Sequence, residues 1–144
     1  MRPKILVTRK ISNFAEDQLA KNFDVTFNKN DEPIPYEELI EKSNQYDGMI
    51  TSHWDKHNQD FFNKMNGKLK IIATIAVGYD NIDIESAKSK NIIITNAPNV
   101  LNDAVAEIAL LLMLAASRRI YEGLNLVKSG KWKDAKVDFT NFMI

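Results

Sequence analysis

Five short β-forming runs punctuate the first two thirds of the chain: KILVT (4–8), FDVTF (23–27), DGMITS (47–52), KIIATIA (70–76) and NIIITN (91–96). Between each pair lies a segment of helical period. Parallel strands need crossovers of about a dozen residues, usually helical, so strict alternation selects an α/β fold with a parallel sheet. The apolar character of the runs predicts a sheet covered on both faces. The intervening segments are SNFAEDQLAKN (12–22), with Phe14, Leu19 and Phe23 expected on one face, and PYEELIEKS (35–43), which opens on Pro35 with Glu37 and Glu38 in its first turn. NQDFFNKMNG (58–67) carries Phe61, Phe62 and Met65 at helical spacing and is expected to stop at Gly67, and DIESAKSK (83–90) supplies a short fourth helix. The sum is a three-layer domain with a five-stranded parallel sheet over residues 1–100.

Residues 101–144 break the alternation. LNDAVAEIALLLMLAASRRIYEGLN (101–125) is apolar around most of its circumference from Ala104 to Ala116, with Glu107 its one charge there. A membrane span needs about 20 apolar residues, so the segment predicts a helix buried on several sides, between domains or between subunits. Asn102 or Asp103 is expected to cap it, leaving a positive dipole end facing a phosphate or the polar edge of a cofactor. The tail VKSGKWKDAKVDFTNFMI (127–144) reads as an extended arm.

Composition excludes several chemistries. Without cysteine there is no disulfide, thiol nucleophile or cysteine-ligated zinc, and a reducing cytoplasm is the expected compartment. Lys+Arg and Asp+Glu both number 19, so no excess of basic charge recommends nucleic acid or anionic lipid as a partner. The two histidines, His53 and His57, are four apart, but SHWDKHNQD has the composition of a loop. Surface or pocket-lining histidines are expected there, and no metal site. Asp80 and Asn81 are read as turn residues and Asp83 as a helix cap. The five glycines stand at 48, 67, 78, 123 and 130, which makes neither G-x-G-x-x-G nor a P-loop. In TIAVGYDNID (74–83), Gly78 closes a strand. Two readings fit equally: a tight turn with positive φ, or a backbone nest whose Val77 and Gly78 amides receive a carboxylate.

The motifs GYDNID, SAKSKNIIITNAP, VAE and LLLMLAASRR occur in one order between 78 and 119, with GKW following at 130–132. In these motifs the chain resembles the D-isomer-specific 2-hydroxyacid dehydrogenases, which include glyoxylate/hydroxypyruvate reductases and D-3-phosphoglycerate dehydrogenases. The resemblance implies a flavodoxin-like substrate lobe (1–100), followed by the helix and arm (101–144) that lead into an NAD(P)-binding lobe. It implies that the Val77 and Gly78 amides hold the carboxylate of a small 2-oxo or 2-hydroxy acid, and that Ser52 and His53 line the substrate cleft. Asn102 stands where relatives usually carry Thr or Ser against the nicotinamide of NAD or NADP. The resemblance places the arginine, acid and histidine of catalysis beyond Ile144, so this chain alone is expected to be inactive and the complete enzyme to be a homodimer. A free-standing dimerising or regulatory module is the alternative. A phospho-receiver domain is excluded, because VTRK and ITSH stand where its acidic residues belong.

Overall fold

The computed structural model describes residues 1–132, in two compact units: Met1–Asn99 and a second beginning at Val100. In the first unit, β1 (Lys4–Val7), β2 (Asp24–Phe27), β3 (Gly48–Thr51), β4 (Ile71–Thr74) and β5 (Ile93–Thr95) form one parallel sheet in the order β2-β1-β3-β4-β5. This is the flavodoxin-like order. Between the strands run α1 (Asn13–Asn22), α2 (Tyr36–Ser43), α3 (Gln59–Lys64) and α4 (Ile84–Ser89).

Strand register sorts the side chains onto two faces. Leu6, Met49, Ile72 and Ile94 lie side by side across β1, β3, β4 and β5. Their row is the floor of the core, roofed by Leu39 and Ile40 of α2, Phe61 and Phe62 of α3, and Ala87 of α4. The alternate row, Ile5, Gly48, Ile71 and Ile93, faces the other way. A Cβ at Gly48 would come within 2.8 Å of Ile5 and 2.9 Å of Ile71, so the glycine gives those two isoleucines room to spread over the strand between them.

Coverage of the two faces is unequal, contrary to expectation. An apolar hollow of about 590 Å³ remains on the second face, bounded by Ile5, Ile50, Ile71 and Ala73 of the sheet and by Leu19 and Phe23 from α1 and its C-cap. Phe14, expected beside Leu19, is instead largely exposed, and α1 buries no residue fully.

Caps follow the sequence closely. The Ser12 hydroxyl accepts from the Ala15 N–H, the Asn58 carboxamide from Phe61, and the Asp83 carboxylate from Ser86, each satisfying a helical donor that lacks an internal partner. α3 ends sooner than expected, because Met65 is already extended. Gly67 serves close approach rather than termination: a Cβ there would stand 2.2 Å from the Asn44 Cα.

The second unit contains α5 (Asn102–Ser117) and α6 (Ile120–Lys128). The single long helix expected here is broken where Arg119 adopts left-handed φ of 49°. Asn99, also left-handed at φ 67°, lies in the turn ahead of α5, and the N-cap falls on Leu101. Asn102 and Asp103 thus stand inside the first turn rather than capping it. The expectation of a helix buried on several sides is not met: α5 buries no residue, and Val105, Ile108, Leu111 and Leu112 are all more than half exposed. Among the described residues of its own unit, only α6 lies against it. Of the expected arm, residues 127 and 128 belong to α6, and 133–144 lie outside the described residues.

Candidate functional site at the carboxyl edge of the sheet

At the end of β3 the chain leaves the ladder because a side chain outcompetes the neighbouring strand. The Ser52 N–H donates to the Asp55 carboxylate at 2.8 Å, and the same Oδ2 accepts the Ser52 hydroxyl at 3.1 Å and the Thr8 hydroxyl at 2.7 Å. Thr8, Ser52 and Asp55 are all buried. Thr8 follows β1, so this carboxylate joins the ends of β1 and β3, the point where strand order reverses. Open α/β sheets commonly bind ligands in that crevice. Here the chain's own hydrogen bonds occupy it.

Accessible backbone lies one strand further on. After β4, the Ile75 N–H donates to the Thr51 carbonyl and the Ala76 N–H to the Thr74 hydroxyl. Val77 and Gly78 follow, both exposed, and neither N–H donates a hydrogen bond among the described residues. The backbone argues against one reading of Gly78, the tight turn with positive φ. Gly130 has positive φ but Gly78 does not, and a Cβ on Gly78 would meet only the Asp80 carboxylate, at 3.8 Å. Nothing in the loop itself requires glycine. Without a side chain at Gly78, the Val77 and Gly78 N–H groups lie in an exposed stretch of backbone.

This loop is fastened on both sides of the open stretch. The Asn96 carboxamide, just past β5, donates to the Val77 carbonyl at 2.7 Å. At the far end the Ile82 N–H closes a turn onto Tyr79, while the Asn81 carboxamide donates to the carbonyls of Ser52 and Asp55 at 3.2 and 2.7 Å. Asn81 therefore ties two loops together, where a local turn contact was expected. Asp83 caps α4 as expected.

The histidines separate. His53 is exposed and lies against Trp54, ring centroids 4.6 Å apart. His57, expected at the surface or lining a pocket, is completely buried, its ring meeting Phe61 edge-on at 4.7 Å. Its backbone forms a bridge to the following loop, with its N–H on the Asn81 carbonyl and its carbonyl accepting from Asp83. Neither ring nitrogen has a hydrogen-bond partner among the described residues. Burial pushes the imidazole pKa down to about 4, against the opposing pull of the Asp55 carboxylate. His57 is therefore neutral near neutral pH. Among the described residues no group of three or more His, Asp or Glu could hold a metal ion, and no helix is long and apolar enough to cross a membrane.

Ser52 and the Val77–Gly78 pair thus stand on adjacent loops of one edge. The Ser52 hydroxyl is committed to Asp55 and to the Trp54 N–H, which leaves His53, Trp54 and Lys56 as the exposed residues between Ser52 and His57. Asn102 opens α5 in the second unit. Asp55, Asn81 and Asn96 were not anticipated as organisers of the edge. Each is a short polar residue soon after a strand, the pattern of a side chain competing for backbone.

Comparison with known proteins places this edge in a lineage. The profile of the D-isomer specific 2-hydroxyacid dehydrogenase catalytic domain matches residues 5–138. The chain belongs to this family. A glyoxylate reductase of Thermococcus litoralis is 40% identical over 143 residues, which cover 99% of the chain and 43% of that protein. One from Thermococcus onnurineus is 41% identical over 92% of the chain and 40% of its own length. Among solved structures, a 2-hydroxyacid dehydrogenase from a Polaromonas species, described as NAD-binding, superimposes with a TM-score of 0.79 at 32% identity, over 96% of the chain and 43% of that protein. An NADPH-dependent glyoxylate/hydroxypyruvate reductase of Sinorhizobium meliloti, in complex with NADP and malonate, gives 0.72 at 27% identity, over 92% of the chain and 40% of that protein. The chain spans about two fifths of the length of the curated dehydrogenase relatives it matches.

Proposed function

We propose that this chain is the substrate-binding part of an NAD(P)-dependent oxidoreductase acting on the CH–OH group of D-2-hydroxy acids, and that the Val77 and Gly78 amides receive the carboxylate of the 2-oxo acid. The observation that carries the reading is Gly78: exposed at a strand end, without positive φ, and glycine for no reason internal to the loop. Relatives named as glyoxylate reductases, and one solved with malonate, support a small carboxylate as the ligand. His53 then borders the substrate, and Ser52 acts from behind by holding its loop to Asp55.

The residues described do not suit a dinucleotide body. The glycines at 48, 67, 78, 123 and 130 make neither a dinucleotide fingerprint nor a P-loop. We assign NAD or NADP one contact here, at Asn102, and no step of hydride transfer to this chain's residues. On this reading the chain alone is catalytically silent, and the complete enzyme is a cytoplasmic homodimer. Titration of the ¹⁵N-labelled chain with oxamate, a 2-oxo carboxylate analogue, tests the site. Shifts concentrated at the Val77 and Gly78 amides are expected, and their absence at saturating oxamate would refute the assignment. NADH added alone should leave the same spectrum nearly unchanged.

A second reading, a dimerising or regulatory module, draws on the exposed apolar residues of α5. Sedimentation velocity across concentrations tests it. A monomer throughout would count against it.

A further inference from the structure

The open stretch of the β4–α4 loop is held by more than its own turn, in which the Ile82 N–H meets the Tyr79 carbonyl. Asn81 reaches across to the preceding loop and uses both carboxamide hydrogens there, one on the Ser52 carbonyl and one on that of Asp55. Its own carbonyl accepts the His57 N–H at 2.9 Å, and the Asp83 N–H returns to the His57 carbonyl at 2.8 Å. Three consecutive positions, 81 to 83, thus lie alongside the 52–57 segment, which Asp55 in turn fastens to Thr8. The residue type is demanding. Serine and threonine offer one hydrogen, aspartate none, and glutamine places its amide one methylene too far.

We propose that Asn81 is a positioning residue of the anion site: its carboxamide fixes the Val77–Gly78 amides relative to the His53 loop, so that both sides of the cleft are set before ligand arrives. This rests on the assignment of the carboxylate to those amides. Preorganisation of this kind strengthens binding by removing the ordering cost from the binding step. Asn96 holds the other end of the stretch through the Val77 carbonyl, which leaves Gly78 to Asp80 as the span whose placement Asn81 controls.

The test uses the whole ¹⁵N-labelled chain, with Asn81→Ala beside a control, Asp83→Ala, which removes the α4 cap but no bond between the loops. In Asn81→Ala, hydrogen-exchange protection of the His57 and Asp83 amides should fall about tenfold or more while the core amides of Met49 and Ile72 keep theirs. The dissociation constant for oxamate, read at the Gly78 amide, should rise about three- to tenfold, the worth of one or two hydrogen bonds. Asp83→Ala should weaken α4 and leave oxamate affinity unchanged. Unaltered protection at His57 and Asp83 in Asn81→Ala overturns the proposal. So does lost protection with unchanged affinity, which reduces Asn81 to a purely structural tie. If oxamate moves neither Val77 nor Gly78 in the unmodified chain, the carboxylate assignment fails and this proposal falls with it. The exchange data would still show whether the loops are coupled.

Discussion

Replacing His57 with leucine should stabilise the first unit, and by an amount that grows as the solution is acidified. The imidazole is fully buried, packs against Phe61, and has no hydrogen-bond partner for either nitrogen among the described residues. A buried polar group in that condition costs about 1–3 kcal/mol, so leucine, of similar bulk, should gain about 1 kcal/mol or more near pH 7 after imperfect repacking. The acid dependence has a definite sign. The unfolded histidine titrates at 6.5 and the folded one at about 4. Between those values the unfolded chain binds more protons, so the native state loses stability as pH falls from 6.5 towards 4 and loses no further stability from this residue below that. Linkage makes the loss about 2 kcal/mol between pH 7 and 5, and about 3 kcal/mol over the whole window. Burial removes the solvent screening that would discount this figure. Asp31, held at about 2 by Arg9 and the Lys10 N–H, titrates below this window. Asp47 and Asp60 are also held below the ordinary carboxylate range, by the Lys4 N–H and by Lys64 respectively. All three are common to both proteins, so they cancel in the difference. Urea denaturation followed by far-ultraviolet circular dichroism, at several pH values from about 7 to 4.5, gives the comparison directly. If the gap between His57→Leu and the unmodified chain is the same at every pH, the histidine is not buried and neutral, and the reasoning fails.

Three further substitutions separate site from scaffold. Gly78→Ala should leave urea stability within about 0.5 kcal/mol, because its Cβ meets only Asp80 at 3.8 Å and the backbone is not left-handed; the same variant should weaken oxamate binding in the NMR titration. Gly67→Ala should destabilise by about 2 kcal/mol or more, since its Cβ would overlap the Asn44 backbone at 2.2 Å, and the loss should appear in thermal melts. Asp55→Ala strips three donors of one buried acceptor and should cost about 3 kcal/mol in urea denaturation, with the Ser52 amide losing exchange protection first.

The five strands were legible because β-branched runs and alternation carry their own signal, but their ends were not. Ser52 and Ala76 read as strand from composition. They leave the ladder because the Asp55 carboxylate and Thr74 hydroxyl take the Ser52 and Ala76 amides, a competition that hydropathy does not record. The break after α5 was hidden for a related reason, since arginine is a good helix former and Arg118–Arg119 carry no helix-stop residue. At the site, the Asp83 cap was readable from local chemistry. His57 was not: SHWDKHNQD looks like surface, and only its bridge to Ile82, 25 positions on, draws it inside. Asn81 shares that character, with partners 26 and 29 residues away.

The sheet's two margins bear on how this protein behaves in concentrated solution. Among the described residues, β2 and β5 each have one side without a strand partner, and β5 presents Ile93, 60% exposed. An apolar margin of that kind ordinarily recruits strands from other molecules. β5, however, has only three residues, Ile93–Thr95, with left-handed Asn91 shortly before it and Asn96 turned onto Val77 directly after. A visiting strand would find too few ladder positions to hold it. Brevity does here what lysines and prolines do on longer edges. The Asn96 amide that holds the loop after β4 thereby also sets where the sheet stops offering itself to strangers.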